Sequence, residues 1–76
     1  MAENTAQARK QLDGHRAAVR DHARKHRDYR ESYEKDFAWK TIQNVQSHIT
    51  KLKSEHPSLS QNSTEDTWRP GNSVPW

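Results

Sequence analysis

Residues 28–37 read Asp-Tyr-Arg-Glu-Ser-Tyr-Glu-Lys-Asp-Phe, and the fold turns on whether one helix runs through them unbroken. Upstream, Ala8, Leu12, His15, Val19, His22, His26, Tyr29 and Tyr33 follow one another at spacings of 4, 3, 4, 3, 4, 3 and 4. Downstream, Ala38, Ile42, Val45, Ile49, Leu52, His56 and Leu59 keep the same rhythm. Each set is the seam that one helix presents to another, as in a coiled coil. The two seams do not join. Carrying the first beyond Tyr33 requires apolar residues near 36 and 40, where Asp36 and Lys40 stand. The second seam is out of phase by two residues, which at about 100° per residue swings the apolar stripe by roughly 200°. Coiled coils absorb insertions of about three or four residues, and this slip is neither.

Two architectures follow. In one, the chain breaks near Ser32–Asp36, Asp36 caps a second helix, and the halves close into an antiparallel hairpin. In the other, a single long helix shows opposite faces to different partners, an option left open because no Gly or Pro marks a turn between 28 and 37. A chain acting alone must bury both seams, so the hairpin is the expected fold: all-α, with helices over about 5–31 and 36–56. Asn4 and Gln7 resemble a capping box at the start of the first helix. All three prolines (Pro57, Pro70 and Pro75) fall in residues 57–76 with Gly71 and many Ser, Thr and Asn, so an extended, irregular tail is expected there.

Composition narrows the function. Nine of the 76 residues are Val, Ile, Leu or Phe, below the roughly 20% that marks chains disordered when alone, so a free-standing globule is not favoured. With two glycines and no cysteine there is no phosphate-cradling loop, no disulfide framework and no cysteine-ligated zinc module. So small a core cannot wall a water-excluding pocket. The chain is expected to be no enzyme and to need no cofactor. No apolar run approaches a membrane span or a signal-peptide core, so no membrane partner is expected. The expected location is the cytoplasm or an assembled particle, without a secretory signal.

Three sets of residues are candidates for contacts. Trp68, Arg69, Val74 and Trp76 stand in a polar, Pro-punctuated tail with no local core to enter. With Trp39 they form the expected partner-binding set, since large aromatics commonly anchor interfaces. Arg16, Arg20, Arg24 and Arg27 follow one helix face, which suits nucleic acid or an acidic partner, although Asp13, Asp21, Asp28 and Glu31 interleave with them. His22 and His26 lie one turn apart and, with His48 from an opposing helix, make a weak metal candidate. Seam packing with acid sensitivity is the plainer reading, and no metal is expected.

The resulting expectation is a small helical interaction protein, an accessory or connector subunit of a larger assembly such as a virion or multi-subunit complex. It would dock by its seams and its Trp-bearing tail. One alternative is a regulatory binder or inhibitor using the arginine face. Another is a ribosomally made precursor with a helical leader and a Trp/Pro core. A protein partner heads the list, followed by nucleic acid and by self-association through the seams.

Overall fold

A computed structural model describes residues 5–72 and residue 74, and Trp76 lies outside the described residues. Two helices, α1 (Thr5–Asp28) and α2 (Ser32–Glu55), pack against each other as an antiparallel hairpin. The phase slip is thus resolved by a turn. That turn falls earlier than the sequence suggests. Residues 29–31 form the whole connection, and the first helix stops at Asp28 rather than near 31. Asp36 caps nothing: it sits inside α2, whose N-cap is Glu31 in an extended conformation (φ −82°, ψ 137°) with no side-chain capping bond. Lys25 and Arg27 in the last turn of α1 complement the negative end of its dipole. Glu34 does the same at the positive end of α2. Three ordinary residues in ordinary backbone conformations make the turn, so neither Gly nor Pro is required.

The core is narrow. Val19, Ile42 and Ile49 are wholly enclosed, and Ala8, Leu12, Ala23 and Ala38 are nearly so. On α1 the buried line runs Ala8, Leu12, Val19, Ala23, which repeats over eleven residues rather than seven. A straight helix drifts about 20° per heptad from a strict seam. By its last turns α1 has therefore rotated Ala23 inward, leaving His22 and His26 half-buried at the flank.

Gly14 lies within α1 on the exposed side, and a Cβ built there meets nothing within 4 Å. Gly14→Ala should therefore stabilise the hairpin by about 0.5–1 kcal/mol through the lower entropy of the unfolded chain. Thermal unfolding followed by circular dichroism checks this. An unchanged or lower midpoint would count against a continuous α1 at this position.

Pro57 ends α2 and opens a single 3-10 turn over Pro57–Leu59, and a second spans Thr64–Thr67. The C-terminal region is irregular, as expected, but it does not reach away from the hairpin. It lies back across both helices, burying Leu59 and Trp68 to 5% and 4% exposure. A turn follows over residues 69–72, with Asn72 N–H donating to Arg69 C=O at 3.1 Å and Gly71 at φ 97°. Pro70 followed by a positive-φ glycine is the type II turn signature.

Candidate interaction surface

Much of the expected contact surface is occupied by the chain itself. Trp68 packs edge-on against His26 (ring centroids 5.7 Å apart) and Trp39 (5.8 Å) within the core cluster that contains Val19 and Ile42. It is therefore an internal anchor, not a free one. The hairpin groove supplies the apolar surroundings that no neighbouring residue in the tail could. Trp39 and Val74 are half-buried against the same cluster, and Arg69 is exposed.

The arginine face is divided. Arg16 forms a two-pronged bond with Asp66, Nε to Oδ1 and Nη2 to Oδ2, both at 2.9 Å, and Nη2 also donates to Gln61 C=O at 3.0 Å. Arg20 reaches Glu65 at 3.4 Å. Arg24 and Arg27 remain exposed, Arg27 only loosely near Asp28 at 3.9 Å. Half of the stripe is thus committed to the tail, because that region returns two acids to positions opposite it.

From α2, Lys53 Nζ donates to Asp66 Oδ2 at 2.9 Å. Gln46 Nε2 donates to the carbonyls of Glu65 (3.1 Å) and Trp68 (2.9 Å). Ser63 and Asp66 form a capping box at the start of the second 3-10 turn. Burial alone would push the Asp66 carboxyl up. The hydrogen bonds from Arg16, Lys53 and the Ser63 N–H outweigh it and hold Asp66 below the ordinary carboxylate range. Gln46, Lys53, Glu65 and Asp66 were not among the residues expected to matter. Their pairing crosses up to 50 positions of sequence and leaves no local pattern.

The three histidines proposed for a metal do not converge. His48 stacks on His15 instead, with ring centroids 5.5 Å apart and planes 14° from parallel. The antiparallel register places position 48 against 15, about two turns from His22 and about three from His26. Among the described residues no group of three or more His, Cys, Asp or Glu is arranged to hold a metal ion. No described helix is long and apolar enough to cross a membrane.

What remains unspent is at the turn. No family model, no curated protein and no solved structure matches this chain. Tyr33 and Phe37 are 71% and 74% exposed. With Tyr29 they follow one another at intervals of four and line, together with Glu34, a hollow of about 270 Å³. Tyr29 and Tyr33 were expected to extend the first seam. Because α1 stops at Asp28, they fall beyond the zone in which the helices face each other.

Proposed function

We propose that this chain is a non-enzymatic accessory subunit that docks on a partner protein through the aromatic tip of its hairpin. The observation that carries this reading is the double exposure of Tyr33 and Phe37 on one face of α2. Apart from Tyr29, which lines the same hollow, the other large apolar side chains described are enclosed or packed against the core. Two aromatics one helical turn apart, backed by Tyr29, give an anchor pair for a partner's apolar pocket, and charged residues around them supply the rim. The tail supports this role from behind. By filling the groove between the helices it holds the hairpin closed, so binding requires little ordering of the chain.

The competing reading, contact with nucleic acid through the arginine face, has lost Arg16 and Arg20 to internal ion pairs. Its remaining cations, Arg24 and Arg27, are exposed. Salt separates the two readings, because phosphate contacts weaken steeply as salt rises and an apolar anchor does not.

The test compares the intact chain with a Tyr33→Ser/Phe37→Ser double variant in quantitative affinity capture from the native source at low and high salt. Both side chains are exposed, so the variant should keep its helicity. A protein partner retained by the intact chain at high salt should be lost from the variant by a factor of about thirty or more. Identical capture profiles for the two would refute docking at the tip. Nuclease-sensitive, salt-labile capture would favour the arginine face.

A further inference from the structure

A cleft of about 410 Å³ opens where the end of α1, the start of α2 and the turn at residues 69–72 meet. Its walls carry His26, Arg27 and Lys35, its apolar surface includes Trp68 and Val74, and Gly71 lies at its edge. None of the described residues lining it is acidic. We propose that this cleft is a binding site for a small organic phosphate, with Lys35, Arg27 and His26 receiving the phosphate and the Trp68–Val74 wall receiving the carbon skeleton.

Three observations support the assignment. The first is uncompensated charge. Among the described residues Lys35 makes no ion pair, and Arg27 makes only a loose one with Asp28, exposed and 3.9 Å away. Elsewhere the chain pairs its enclosed charges closely, as with Arg16, Lys53 and Asp66. The second is the setting of His26. Burial, and after it the positive charge of Lys35, hold the His26 imidazole below its ordinary titration range, with Asp36 of α2 acting weakly in the other sense. From the tail, His26 meets the uncharged Trp68 ring. A dianion beside Lys35 reverses that bias, favouring the protonated imidazole, and is held by charge-assisted hydrogen bonds. The third is composition of the walls: the cationic groups share one cleft with apolar side chains, so an organic phosphate satisfies both where a bare anion satisfies one.

The site is separate from the aromatic tip. Lys35 lies two positions from both Tyr33 and Phe37, about 200° around the helix from either. Failure of one proposal therefore leaves the other standing.

Phenyl phosphate and inorganic phosphate serve as probes, with sodium chloride at matched ionic strength and phenol as controls. Nuclear magnetic resonance follows the His26 ring, the Gly71 amide and the Trp68 indole of the intact chain. Phenyl phosphate should shift all three saturably and raise the titration midpoint of His26. Inorganic phosphate should do so more weakly, and the controls should not. Lys35→Gln should weaken phenyl phosphate binding about tenfold, and Lys35→Arg should restore it. The proposal is overturned if the shifts are linear in concentration, if sodium chloride reproduces them, or if Lys35→Gln binds as tightly as the intact chain. A Lys35→Gln chain of altered helicity transfers the decision to Arg27→Gln, an exposed position, for which the same weakening is required.

Discussion

Trp68→Ala should release the whole C-terminal region from the hairpin and cost about 3–5 kcal/mol, the range for removing an enclosed large aromatic. The side chain is 4% exposed and touches elements from both helices, His26 on α1 and Trp39 on α2. Its loss also leaves Gln46 without a positioned acceptor at the Trp68 carbonyl. For so small a chain this is comparable with its whole stability. Amide exchange should show protection vanishing from residues 57–68 first, with α1 and α2 weakened together because the groove they share is uncovered. Were Trp68 a free anchor for a partner, the substitution would leave the melting transition untouched and reduce only partner binding. An unchanged transition would therefore return Trp68 to the role expected from sequence and remove the internal one.

The hairpin was legible because a slip of two residues between Tyr33 and Ala38 cannot be carried by one helix with one buried face. The turn was misplaced by a few residues for a definite reason. Its cap is the extended backbone of Glu31, which carries no capping side-chain bond, whereas Asp36 only looked like a cap. Leu59 was legible as the continuation of the second seam, and the structure buries it, although it stands in a 3-10 turn beyond Pro57. Trp68 was legible as a residue that must find a cover. Which cover was not legible, because the ties that direct it are Arg16, Lys53 and Gln46, polar residues on otherwise solvated faces. Helical periodicity reports what lies three or four positions away, and these ties span 13 to 50 positions. The aromatic tip was hidden for the opposite reason. Tyr29 and Tyr33 fit the seam spacing perfectly well, and only the early end of α1 takes them out of the interface.

The second large effect concerns Asp66, where the fastening of the tail is electrostatic. Its side chain is 4% exposed, and the two cations on it, Arg16 and Lys53, are 18% and 15% exposed. Removing the carboxylate strands two largely enclosed charges, so Asp66→Ala should cost about 3 kcal/mol, the lower end for breaking such a pair because both cations retain some water. The same carboxylate makes the tail sensitive to acid. Asp66 titrates lower in the folded chain than in the unfolded one, where the ordinary value is about 3.9. Its contribution is therefore complete above that value and is lost as pH falls through the folded value, because the unfolded chain takes up the proton first. His26 adds an earlier and shallower decline. Its folded value is lowered by burial and by Lys35, so stability falls as pH drops through the unfolded value of about 6.5. Amide exchange at residues 64–68 should thus show a small loss of protection between pH 7 and 5 and a steep one below about pH 4. In Asp66→Asn the steep step should disappear, leaving a tail already loosened at neutral pH. A tail equally protected at pH 2 and pH 7, or an Asp66→Asn chain with the intact protein's profile, would mean that the apolar grip of Leu59 and Trp68 suffices and that the charges merely decorate it.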